Sequence, residues 1–365
     1  LKDGVKVQYA NGTSNLVISL SNTSKLQAGS YYLSADDWSQ ISSDAITLSG
    51  MPHFTADFEA DSSGLKVTLS RNSNCKIWDG KDSEHKWTEL YFGSTMIMEF
   101  TKDVVVFDDT AENTIVQVGA GQEVNWLLFD SSKVYEINST NHTVTSKNGL
   151  LHRGSGTTVL NGTVVVNGET QLLNGTLITT TTDQLANSSI SGAGTLGIDW
   201  GEGVSGSLNI SPISPIGTLQ LMSGTYNLNA GSAADNIVVD SGATLNLADG
   251  VALNTQLSTS GTLVMGSGSS LAGSFTLSGA TEVNVSNDGS GDVKALINGA
   301  GQSLTKNGAG TLVLSNNSIA LGQLNVAQGG VQVGADIGSG ISEISLAGGS
   351  FLKFNWGGGL ADTKV

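Results

Sequence analysis

The chain has 365 residues, of which 48 are glycine and only 3 proline; charged side chains make up 13%, aromatic ones 6%, and the formal net charge is −16. Sparse proline excludes collagen and polyproline, and regularly recurring apolar residues exclude a disordered Gly/Ser linker. The acidic balance speaks against nucleic acid and anionic membrane surfaces, whose phosphates are held by clustered Lys and Arg, which leaves an all-β protein with many turns.

Charge is unevenly spread. Residues 1–153 hold 12 of the 16 basic side chains, and no Lys or Arg lies between Gly154 and Val293. The plain reading is a Thr/Ser/Asn/Gly surface that solvates itself without charge; the sharper one is a surface adapted to proteases that cut after basic residues. A single cysteine, Cys75, excludes an internal disulfide, and no apolar run reaches the length of a membrane-spanning helix. With Leu1 opening the chain and "LADTKV" closing it, the sequence reads as a fragment whose targeting signals lie outside it.

In chain order, the first 150 residues carry more charge, four of the six Trp, and strand-like runs such as "LVISL", "LKVTLS", "DVVVF", "TIVQV" and "KVYEI". Boundaries are expected near Asn74, between "LKVTLSRN" and "CKIWDG", and more softly near Lys147. That gives 1–74 as the closing β segment of a preceding module, 75–147 as a β module or cap, and 148–365 as a solenoid.

The solenoid expectation rests on repetition. A Gly-Thr or Gly-Gly turn followed by an alternating apolar run recurs at Leu177, Leu196, Leu219, Leu245 and Leu263, then at Leu312, Val331 and Phe351. The steps are 19, 23, 26 and 18 residues in the first set and 19 and 20 in the second. One such unit cannot bury its apolar face, whereas stacking neighbours about 4.8 Å apart builds a continuous core. The predicted fold is a parallel β-solenoid with irregular coils of about 20 residues, about ten of them from residue 150 onward, and Asn-rich corners such as Asn316 and Asn317 are candidates for stacked ladders.

The stretch "KNGAGTLVLSNNS" resembles the autotransporter-associated β-strand repeat, with Lys306, Gly308, Gly310, Thr311, Leu312, Leu314 and Asn316 filling the places of its pattern. "SKNGLLHRGSGTTVLNG", from Ser146, is similar to a degraded second copy. Trp78-Asp79-Gly80, Trp87 and "VVVFDDTAENTIVQV" resemble the opening of modules in large secreted repeat proteins of Gram-negative bacteria. The resemblance implies a right-handed β-helical passenger region, cell-surface (outer-membrane-anchored) or secreted, adhesive or architectural. Within the repeat, Leu312 is expected to point into the coil and Lys306 to sit at a solvated corner.

Chemistry-bearing motifs are few. His53, His85, His142 and His152 have no metal-ligand spacing and read as isolated surface or capping side chains. Polysaccharide-cleaving β-helices need carboxylates on neighbouring coils. Asp199 and Glu202, flanking Trp200 in "GIDWGEG", are the candidate acid pair and sugar platform, against the alternative of an outward corner loop. Asp57, Glu59 and Asp61 alternate on one strand face, Asp108 and Asp109 suit a turn after Phe107, and Asp288 with Asp292 is a weak calcium candidate. No cofactor is indicated. The leading expectation is a non-catalytic surface module that binds host glycans, mucin or other cells, or that self-associates; the alternatives are a polysaccharide hydrolase or lyase and a pure spacer.

Overall fold

The structure, a computed structural model, describes residues 5–9, 16–20, 28–49, 52–81, 86–87, 103–207, 210, 215–229, 234–286, 289–316, 318–334 and 340–354. These are almost entirely strand and turn. The chain divides into two compact units, Leu1–Leu177 and Ile178–Val365.

The first unit opens with antiparallel pairing. Strands Gly29–Ser34 and Phe54–Asp61 both pair antiparallel with Gly64–Arg71. Leu33, Phe58, Leu65, Val67 and Leu69 of these strands pack with Leu16, Ile18 and Ile46 of a second small sheet. Alternation explains the layering: Phe54–Asp61 turns Phe58 inward while Asp57, Glu59 and Asp61 face solvent. The last strand of this pair of sheets ends at Arg71, and the long parallel sheet begins at Cys75, which lies beside Val104.

From there the described residues of the first unit form parallel coils, so the described part of 75–147 already belongs to the stacked type of structure. Val105, Leu127, Leu150 and Thr170 form one inward column, and Phe107, Phe129, His152 and Leu172 the next. The rings of Phe107 and Phe129 stack at 4.8 Å between centroids. The Trp-Asp-Gly phrase closes the first coil: Trp78 is fully buried and donates from Nε1 to the Asn113 carbonyl at 2.9 Å. Gly80 (φ +64°) turns against the same residue, where a Cβ would stand 2.4 Å from the Asn113 oxygen, so only glycine fits. Asp108 and Asp109 accept hydrogen bonds from Thr110, and from Ser131 and Ser132, at the turn they were expected to make.

The second unit is a parallel solenoid whose inward residues stack in three columns, the third traced from Leu253 onward. The first runs Leu196, Leu219, Ile237, Leu257, Phe275, Ile297, Ile319. The second runs Tyr226, Leu245, Leu263, Val283, Lys306, Val326. The third runs Leu253, Leu271, Val293, Leu314, Val333, Phe354. Inward residues of the columns are almost all fully buried, and each such aliphatic or aromatic side chain contributes about 1.5–3 kcal/mol.

These columns revise the repeat alignment. Leu196 and Leu219 are partners, as are Leu245 and Leu263, and Leu312 and Val331. The 26-residue step from Leu219 to Leu245 is not a coil, because it crosses from the first column to the second; the partner of Leu219 is Ile237. A turn phrase marks entry to a strand segment, and with more than one such segment per coil it does not say which side it is on. At the end of the ladder the register is also one residue off: Val331 pairs with Leu352, while Phe351 faces outward over Gly330 at 47% exposure.

Lys306 requires the larger correction. It is not a solvated corner but fully buried, in a column position between Val283 and Val326. Its Nζ donates to the carbonyls of Asn307 (2.7 Å), Gly308 (2.8 Å) and Gln328 (3.2 Å), so all three ammonium protons are placed. Gly308 bends the chain back over the ammonium with φ +78°, where a Cβ would stand 2.4 Å from the Val285 oxygen. Leu312 and Leu314 point inward as expected. Asn316 caps the corner by donating to the Lys294 carbonyl, while Asn317 lies outside the described residues.

Candidate ligand-binding groove

Outward residues of the first column of the second unit create a surface depression of about 400 Å³. Alternation places them: because Leu219, Ile237, Leu257 and Phe275 point in, their neighbours point out. Register then aligns Thr218, Asn236, Gln256 and Ser274 in one row, one residue from each of four coils. Ser258 and Thr276 follow in the adjacent row. All of these line the depression and none carries a charge; Val238, in the row of Ser258 and Thr276, adds an apolar side chain. Asn236 donates to the Gly217 carbonyl at 3.1 Å and is thereby held, while Gln256 extends into solvent. The surface offers hydroxyls and amides at a regular repeat along the stack, a set that can donate to and accept from a hydroxylated ligand.

Of the expected acid pair, Asp199 is engaged within the corner. Asp199 accepts from Ser223 Oγ at 2.5 Å, and that oxygen accepts from the Gly201 backbone N–H at 2.8 Å, which ties the corner loop to the next coil. Glu202 is exposed. Trp200 is only 6% exposed and its ring lies against Gly206, so it presents no open face to a sugar. The trio Asp57, Glu59 and Asp61 is a solvated face: Glu59 pairs with Lys66 at 2.8 Å and Asp61 caps the turn at Ser63. Asp292 accepts from Ser315 Oγ at 2.6 Å, and Asp288 lies outside the described residues. Among the described residues no group of three or more His, Cys, Asp or Glu is placed to hold a metal ion, and no helix is long and apolar enough to cross a membrane.

Two histidines expected at the surface are buried in the first unit. His152 sits inside the stack beside Phe129 and donates from Nδ1 to the Asn174 carbonyl at 2.8 Å. Burial holds its pKa down at about 4, partly offset by that bond. His53 accepts at Nε2 from the Arg153 guanidinium at 2.7 Å, and Arg153 is also paired with Asp130 at 3.0 Å. Burial, with the Arg153 and Arg71 charges behind it, holds the His53 pKa down at about 3. His142 is exposed and His85 lies outside the described residues.

The row Thr218, Asn236, Gln256, Ser274 was not singled out from the sequence. Its residues are 18, 20 and 18 apart, and a common polar residue every twenty positions carries no signal until register is known. The signal that was present is indirect: each stands immediately before an inward residue of the first column. Comparison of the chain with protein-family models, with curated proteins and with solved structures found no match in any of the three, so the β-solenoid rests on the strand registers themselves.

Proposed function

We propose that this chain is part of a non-catalytic cell-surface or secreted module of the autotransporter-passenger type, whose stacked coils form a stiff support and whose exposed face binds glycans or cells. The observation that carries this reading is the uncharged depression over four coils, lined by Thr218, Asn236, Gln256 and Ser274. A binding face needs repeated donors and acceptors on a rigid frame, and backbone ladders running through every coil supply that frame. The tie between Asp199 and Ser223 weighs against a hydrolase or lyase, because it commits that carboxylate to holding a loop. The repeat-like stretch around Lys306 supports a surface location in a Gram-negative bacterium.

The test is a glycan array probed with the fragment, assayed in parallel for release of reducing ends, with adhesion of coated beads to epithelial cells and mucin as a second arm. Binding without release is the expected result. Release of reducing ends that depends on Asp199 or Glu202 would establish the enzyme instead, and silence in every arm would leave a spacer.

A further inference from the structure

The chemistry and periodicity of the groove narrow its ligand. We infer that it takes an uncharged, extended polysaccharide lying along the coil stack, with about one sugar unit per coil, an inference that rests on the reading of the chain as a binding module. Three observations converge on it.

The first is spacing. Thr218, Asn236, Gln256 and Ser274 are direct partners in successive parallel strands, so each is about 4.8 Å from the next. That is close to the length of one unit in an extended, equatorially linked glycan, whereas a coiled α-linked chain would fall out of step within two or three coils. The second is charge. No Lys or Arg occurs between Gly154 and Val293, and the chain carries a net charge of −16. An anionic chain of uronate or sulfate would find no counter-charge on this stretch and would be repelled at long range. The third is the balance of polar groups. Asn236 is tied to the Gly217 carbonyl, which holds its amide in place, while the exposed Gln256 amide and the Thr218, Ser258, Ser274 and Thr276 hydroxyls offer both donors and acceptors. Vicinal sugar hydroxyls need that combination.

The lining includes Val238 but no aromatic ring, and Trp200 is buried away from the surface. Each unit therefore contributes little, and affinity builds with the number of units engaged. The inference specifies a length dependence: binding strengthens as the oligosaccharide grows until it spans four coils, then levels off.

The experiment is isothermal titration of the whole chain with cello-, xylo- and chito-oligosaccharides of two to six units, with malto-oligosaccharides and oligogalacturonates as the coiled and charged arms. The expected result is a Kd that falls with length in at least one extended neutral series and levels off at four to five units. Asn236→Ala/Gln256→Ala should weaken it at least tenfold, and Gln256→Ala alone, which changes only an exposed side chain, at least threefold. Thr225→Ala/Thr244→Ala, outward in the second column, should leave it unchanged, and far-UV circular dichroism verifies that each variant is folded. Preference for oligogalacturonate or maltohexaose would overturn the ligand class while leaving the binding-module reading in place. Full binding by the Gln256→Ala and double variants would overturn the site. Failure of every oligosaccharide to bind, with bead adhesion to cells retained, would overturn the inference alone.

Discussion

Replacing Lys306 tests the fold where sequence and structure disagree most. A solvated lysine at a corner would lose almost nothing on truncation, whereas the buried ammonium donates to three carbonyls at 2.7–3.2 Å. Hydrogen bonds from a charged donor contribute about 1.5 kcal/mol each at the lower end. Against that, burial lowers the Lys306 pKa from 10.5 to about 8, a cost of about 3 kcal/mol for the charged form. The headgroup therefore stabilises by about 1–2 kcal/mol net, and the three stem methylenes lost on truncation to alanine add about 0.8 kcal/mol each. Lys306→Met, which keeps the stem, should cost about 1–2 kcal/mol and Lys306→Ala about 4 kcal/mol. The assay is urea unfolding at pH 7 followed by far-UV circular dichroism. The pH dependence gives a second check. In the fold the proton leaves from about pH 8 while the unfolded chain holds it to 10.5, so the unfolded state binds more protons in between and the wild type should gain stability over the methionine variant across that window. An alanine variant within 0.5 kcal/mol of wild type would refute the buried carbonyl cage.

Other consequences can be checked alongside. His53 is held neutral with a pKa of about 3 against 6.5 when unfolded, so its contribution, on the order of 4 kcal/mol, is present above pH 6.5 and lost as pH falls toward 3. His53→Gln should flatten the acid limb of a stability-versus-pH curve, and an unchanged limb would remove Arg153 and His53 as its source. Leu312→Asp places a carboxylate at a fully buried position and should cost several kcal/mol; a thermal midpoint close to wild type would mean the inward register is wrong. Brief digestion with proteinase K should cut first in the corner at Gly201–Gly203, where Glu202 is exposed and a Cβ on either glycine would meet nothing within 4 Å. Cuts spread evenly through the strand Thr157–Leu172 would be incompatible with stacked ladders.

The parallel solenoid was legible because it depends on a periodic property, the alternation of apolar residues after glycine turns. Leu312 and Leu314 follow from that pattern without any structure. What was not legible depends on which coil residue sits beside which. Lys306 looked solvated because a lone lysine in a polar phrase is usually outside; that its neighbours in space are Val283 and Val326 is a fact of register, set by corner lengths that vary from coil to coil. Phe351 was misread for the same reason, by a slip of one residue that exchanges the two faces of a strand. Trp200 misled in another way: an aromatic between carboxylates has the composition of a sugar platform, but only packing reveals that its ring is covered. The groove was invisible because its residues are ordinary and far apart in the chain.

The three-column arrangement also bears on how such a chain changes over generations. Along the first column each coil supplies one rung to the row, and the rungs above and below meet the same kind of backbone whichever coil stands between them. Copying the gene segment for one coil in tandem would therefore lengthen the groove by one rung without disturbing its existing residues, and loss of a copy would shorten it as cleanly. The length of the outward rows thus becomes a matter of copy number, adjustable by replication slippage, whereas in most folds a longer surface has to be assembled from separate point substitutions.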